Sequence, residues 1–181
     1  IEVQYKSVFA SNSYLKNKVL IEISARSLLS PRMNLTIKSF LDEVLPENPY
    51  YKGAFSINTA KAEKTFLEKL ILLHEEFQKP VDKIRYWRMS RHYYDLGKMI
   101  DQGIGLSAIK DKQLFQQIIE HRQLYTPVRG TQYENMDIYY LNLNPPSMFL
   151  SKYQRDYREM AVNMIYGKTD SFPRVLRKIT N

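Results

Sequence analysis

The stretch R-M-S-R-H-Y-Y-D-L, residues 88–96, holds the densest set of side chains able to do chemistry. Arg88, Arg91, His92 and Asp95 stand at i, i+3, i+4 and i+7, so on a helix they share one face, with the apolar stripe from Met89 on the other. Two guanidiniums can clamp phosphate oxygens, while the carboxylate orients a cation or a neighbouring base. The same spacing also fits a solvated face on which Arg91 and Asp95 form an ordinary i,i+4 ion pair, worth only about 0.2–0.5 kcal/mol. Spacing alone leaves both readings open.

Lys69 lies among Phe66, Leu70 and Leu73 at the edge of an apolar stripe. A lysine there either snorkels outward or aims its ammonium at a fixed anion. Thr65 and Glu68 have the S/T-x-x-E spacing of a capping box, which assigns Glu68 to a helix start. Glu22 stands between Ile21 and Ile23 on an expected strand and points to the opposite face, either as a rigid metal or base ligand or as a surface carboxylate. His74 and His121 have no neighbours at ligand spacing and read as helix-surface or satisfied, partly buried histidines. The 14 tyrosines can stack on bases or fill a core and its interfaces.

These side chains need elements to hold them. Residues 1–9 and 18–24 alternate or run in β-branched and aromatic residues and are expected to be two strands joined across a polar turn at 11–17. A third short strand is expected at 54–58, after the turn-rich 46–53, while 37–45 fits helix or strand equally. From Thr65 the period changes: Phe66, Leu70, Leu73 and Phe77 make one stripe of an amphipathic helix that stops before Pro80. Met89, Tyr93, Leu96 and Ile100 predict a second helix ending near Gly103 and Gly105, and residues 111–121 a third. A further helix is expected over 153–166, with Tyr157, Met160 and Met164 on one face, and a short basic one over 172–179.

The fold class that follows is α+β, a few strands and then a helical half. Its organisation is read as a small sheet unit at 1–63 and a helical region at 64–181, or as one continuous domain. The absence of cysteine excludes disulfides, thiolate metal sites and a cysteine nucleophile, and permits a reducing compartment; the cytoplasm is the expected location. No apolar run reaches the roughly 18–20 residues that cross a bilayer, so no membrane role is expected. A formal charge of +8 favours polyanions such as nucleic acid or nucleotide phosphates, and half of that surplus falls between Lys152 and Asn181. There is no P-loop, no G-x-G-x-x-G and no paired-histidine zinc signature.

Taken in order, I-E-I-S-A-R-S at 21–27, T-F-L-E-K-L-I-L-L-H at 65–74, R-M-S-R-H-Y-Y-D-L at 88–96 and Y-Q-R-D-Y-R-E-M at 153–160 resemble the C-terminal motifs of the AbiEii/AbiGii toxin family of nucleotidyltransferases. The resemblance covers nearly all of the chain. It implies a bacterial toxin of a toxin–antitoxin or phage-abortive system that transfers a nucleotide from an NTP, with Mg²⁺, to an acceptor such as tRNA, and that has a cognate antitoxin. It further implies that Lys69 neutralises triphosphate charge, that Asp95 positions Lys69 or acts near the attacking hydroxyl, and that Arg88, Arg91 and His92 contact the nucleotide. Glu22 becomes the third carboxylate beside a metal pair. His92 departs from the acidic residue expected at its place.

The family's Gly-Gly-Ser/Thr segment and Asp-x-Asp pair, which hold phosphate and Mg²⁺, are absent from these 181 residues and would precede Ile1. In-line nucleotidyl transfer depends on metal ions that stabilise both the entering and the leaving oxygen. The expectation is therefore the C-terminal part of a nucleotidyltransferase-like toxin, inactive by itself. The alternatives are a non-catalytic, basic module that binds RNA or a protein, and a degenerate family member kept for structural or antitoxin-binding reasons.

Overall fold

The computed structural model describes residues 1–8, 14–26, 28, 30–47, 49–50 and 53–180. Residue 9 of the expected first strand, residues 11–13 of the expected turn, residue 27 of the first motif, and residues 48 and 51–52 of the expected second turn lie outside them. Among the described residues the chain runs β1 (Glu2–Gln4), β2 (Lys18–Leu20), β3 (Arg32–Ile37), α1 (Phe40–Val44), β4 (Phe55–Ala60), α2 (Ala62–Gln78), α3 (Ser90–Asp101), α4 (Ile104–Lys110), α5 (Lys112–Tyr125), α6 (Ser147–Met164) and α7 (Phe172–Thr180). This is an α+β chain whose strands precede its main helices.

The strands form two antiparallel ribbons. In one, Val3 faces Val19 and Glu2 faces Leu20; in the other, Leu35 faces Ile57 and Ile37 faces Phe55. The expectation of half-buried strands is corrected: Val3, Val19, Leu35, Ile57 and Phe55 are all exposed. A two-stranded ribbon buries a face only when another layer covers it. β3 went unread in the sequence although R-M-N-L-T-I alternates strictly. β2 stops at Leu20, so Glu22 lies in the irregular segment beyond it rather than on a strand. The division expected at residue 63 falls in the first turn of α2.

α2 is the axis of the helical half, packed upon by α3, α4 and α5. Its stripe of Phe66, Leu70, Leu73 and Phe77 is buried as the period requires, but Leu67, Ile71, Glu75 and Glu76 are buried too. The helix starts at Ala62, three residues before the expected capping box. Thr65 is therefore interior to it and donates its hydroxyl to the Lys61 carbonyl, and Glu68 pairs with Lys64 at 2.7 Å. α3 ends where Gly103 turns at φ 78°; Gly105, expected to share that break, lies inside α4 against the Phe66 ring. Gly97 lets α7 approach α3, since a Cβ there would sit 3.0 Å from a Val175 methyl. α6 begins at Ser147, six residues ahead of expectation, and buries Phe149, Tyr153, Asp156, Tyr157 and Met160. Met164 stays exposed.

Several tyrosines are structural. Tyr93 and Tyr153 stack edge to face with centroids 5.9 Å apart, and their hydroxyls donate to the Leu143 and Arg85 carbonyls at 2.8 and 2.7 Å. Two buried carboxylates, Glu75 and Glu76, are neutralised by cations. Glu75 accepts from Arg122 Nε at 2.9 Å and from the Tyr133 hydroxyl at 2.6 Å, and the Arg122 Nη2 group also donates to it. Breaking a buried pair leaves the surviving charge uncompensated. Glu75→Ala should accordingly lower the unfolding free energy by about 3–5 kcal/mol in urea titration. A change below about 1 kcal/mol would show that Arg122 reaches water once released.

Candidate functional site

Lys69 and Asp95 are 26 residues apart in sequence, on neighbouring helices α2 and α3. The structure joins them: Lys69 Nζ donates to Asp95 Oδ2 at 2.8 Å, with the lysine side chain 20% and the aspartate 42% exposed. Asp95 thus pairs across helices rather than with Arg91, which is exposed and forms no ion pair with any described residue. Lys69 can stand beside the apolar stripe because its charge is met by a carboxylate that itself stays in contact with water.

His92 lies one turn before Asp95. Burial, reinforced by the positive charges of Lys69 and Arg91, pushes its pKa down to about 4, and Asp95 opposes the shift only in part. The imidazole is therefore neutral at physiological pH, and its Nδ1 is buried without a hydrogen-bond partner among the described residues. Arg85 also acts on this ring, so Lys69, Arg85 and Arg91 all lie within electrostatic reach of His92.

Arg88 corrects the expected four-residue face. α3 begins at Ser90, and Arg88 precedes it with φ 59°, in the left-handed region that non-glycine residues rarely occupy. Its guanidinium lies over the Tyr14 ring, 5.4 Å from the centroid. The turn is held by Asp156 of α6, which accepts from the Arg88 N–H at 2.8 Å, the Ser90 N–H at 3.0 Å and the Ser90 hydroxyl. Asp156 is 1% exposed. Sequence reasoning passed over it, although a carboxylate among Phe149, Tyr153, Tyr157 and Met160 on one helical face is a visible anomaly: a buried acid needs fixed donors.

Glu22 is exposed, and its side chain makes no hydrogen bond or ion pair with a described residue. Among the described residues no group of three or more His, Asp or Glu side chains is gathered so as to hold a metal ion. One carboxylate offers at most two of the six or so oxygens that Mg²⁺ requires, so these side chains do not fit a Mg²⁺ site. Of the other histidines, His74 has its pKa lowered by burial, and its Nδ1 accepts from the Asn142 N–H at 2.9 Å. His121 rests against the Tyr125 ring.

A lysine paired with a carboxylate on the next helix, near arginines and a neutral imidazole, has the chemistry to meet an anion. The family model described as "Nucleotidyl transferase AbiEii toxin, Type IV TA system" matches residues 1–178, and the chain belongs to that family. No curated protein and no solved structure matches the chain. No helix among the described residues is long and apolar enough to cross a membrane.

Two outcomes follow from this geometry. His92 binds fewer protons folded than unfolded between its folded pKa of about 4 and its ordinary value of 6.5. Stability should therefore be intact above pH 6.5 and fall as the pH drops toward 4. Thermal melts across that range should show a slope that His92→Gln flattens; an unchanged slope would place the acid sensitivity elsewhere. Asp156→Ala strands two buried donors on Ser90 and a partly buried one on Arg88, and should destabilise the chain by about 3 kcal/mol in chemical denaturation. A loss under 1 kcal/mol would mean that the turn at Arg88 holds without Asp156.

Proposed function

We propose that this chain supplies the nucleotide-phosphate and acceptor side of a nucleotidyltransferase toxin that moves a nucleotide from an NTP to an RNA acceptor such as tRNA. The observation that carries the reading is the Lys69–Asp95 pair, formed between two of the motifs on which the resemblance rests, in a chain that belongs to the family. Lys69 would meet the triphosphate charge, with Arg91, Arg88 and the neutral His92 lining its approach. A negative phosphate arriving there replaces Asp95 as the partner of the ammonium and frees the carboxylate to accept a hydrogen bond from the attacking hydroxyl.

Mg²⁺ is proposed for the reaction on the strength of the family alone, where it would stabilise the entering and leaving oxygens. Glu22 is proposed on the same ground as an auxiliary carboxylate, insufficient as a metal site by itself. A cognate antitoxin as partner, the cytoplasm as compartment, and a division into a sheet unit at 1–63 and a helical region at 64–181 belong to the same proposal. The second reading, a non-catalytic basic module that binds RNA or protein, is favoured by one observation: the described residues hold no metal-binding cluster.

Transfer of label from an α-³²P NTP to RNA, measured with the full-length gene product, separates the two. Lys69→Ala and Asp95→Ala should each reduce transfer at least 100-fold while far-UV circular dichroism stays unchanged, because both side chains border the core. Transfer at the wild-type rate in Lys69→Ala would remove that residue from the site. Absence of transfer in the wild type, together with RNA binding that is indifferent to both substitutions, would favour the binding module.

A further inference from the structure

The chain has a single tryptophan, and it is half exposed in the turn that leads into α3. Trp87 packs tilted against Tyr14, 5.5 Å between centroids with the planes 57° apart, and still leaves 51% of its surface to solvent. Next to it, Tyr86 is 38% exposed and packs beside Phe149, with Lys152 Nζ 4.9 Å from the Tyr86 centroid and 5.0 Å from that of Phe149. Arg88 over Tyr14 and the exposed Arg91 complete the surround.

The way the turn is built shows that Trp87 is held outward. The left-handed backbone of Arg88 reverses the chain so that Met89 enters the core at 4% exposure while Trp87 remains outside. Such a conformation persists where the surroundings over-determine it, which here is the work of the buried Asp156 carboxylate on the N–H groups of Arg88 and Ser90. The acids nearby do not cancel the outward charge. Asp156 is buried against those donors, Glu76 is buried against Arg85 and Lys79, and the partly exposed Asp95 is paired with Lys69.

We propose that Trp87 and Tyr86, with Arg88, Arg91 and Lys152, form a docking surface for single-stranded nucleic acid, in which a base stacks on Trp87 and the cations take the flanking phosphates. Exposed aromatic rings interleaved with cations match a polymer that alternates planar bases with anionic links. An acidic polypeptide matches the charges but offers no repeating planar face. The surface borders the Lys69–Asp95 pair through Arg91 and His92, so on the nucleotidyltransferase reading, on which its role though not its existence rests, it would present the acceptor strand to that pair.

Trp87, as the chain's only tryptophan, reports on its own surface. Titration of the protein with a single-stranded hexacytidylate RNA should quench its emission saturably. With about three phosphates engaged, the affinity should fall roughly 20-fold between 50 and 200 mM salt. Anisotropy of labelled RNA should show at least a tenfold loss for Trp87→Leu and near-normal binding for Trp87→Phe, which keeps a stacking ring, with both variants folded by circular dichroism. Lys152→Ala, on the surface of α6, should lessen the salt dependence. Emission unchanged by the RNA, equal binding by Trp87→Leu, or equal competition by double-stranded RNA or polyglutamate would overturn the proposal. Lys69→Ala keeps the tryptophan response while losing NTP-dependent transfer. A response without transfer in the wild type would therefore defeat the nucleotidyltransferase reading alone, and transfer without a response would defeat the docking surface alone.

Discussion

Packing α3, α4 and α5 around α2 removes its two adjacent carboxylates, Glu75 and Glu76, from water, and the cations that neutralise them fix where the neighbouring segments lie. Glu75 takes Arg122 and Tyr133, which ties down α5 and the turn after it. Glu76 takes the side chain and the backbone N–H of Arg85, at 2.6 and 2.7 Å, and so fixes the segment that enters α3. Buried carboxylates do not serve primarily to stabilise, because desolvation offsets much of the attraction. They specify arrangement: with the C-terminal end of α2 tied to α5 and to the segment before α3, Lys69 and Asp95 face each other from two helices whose positions are set independently of that pair.

The region around Lys69 then has a consistent electrostatic logic. Cations converge on His92, whose ring answers by staying neutral, and the one carboxylate among them is partly in water. An ion pair of this exposure contributes little to stability, so its geometry can yield to an incoming anion without loosening the helices that carry it. A second carboxylate, Asp156, works from behind: it forms no ion pair with a described residue, and accepts from two backbone N–H groups and the Ser90 hydroxyl in the turn that bears Trp87 and Arg88.

Much of the helical half was legible because a buried helix stripe writes itself into a 3.6-residue period: Phe66, Leu70, Leu73 and Phe77, and likewise Met89, Tyr93 and Leu96, are buried as read. The burial of Glu75 and Glu76 was not legible, since a helix covered on several sides has no single face. The ribbons were read as half-buried because alternation tells which side chains share a face, not whether another layer covers it. For the candidate site, the spacing of Arg91, His92 and Asp95 survives. Arg88 leaves their helix for a left-handed turn that carries no sequence signature in a non-glycine residue, and no local pattern connects Lys69 to a partner 26 positions away. The resemblance drew attention to both residues; the tertiary structure supplies the contact.

Exchange of Asp95 for a nucleotide phosphate at the Lys69 ammonium is tested most directly by lysine-selective NMR. With the lysines ¹³C-dimethylated and the Lys69 signal assigned by its loss in Lys69→Arg, an NTP is titrated onto the protein. The Lys69 resonance should move saturably with NTP, and Asp95→Asn should alter its starting position. A Lys69 signal that stays still while the protein is saturated with NTP would contradict that exchange.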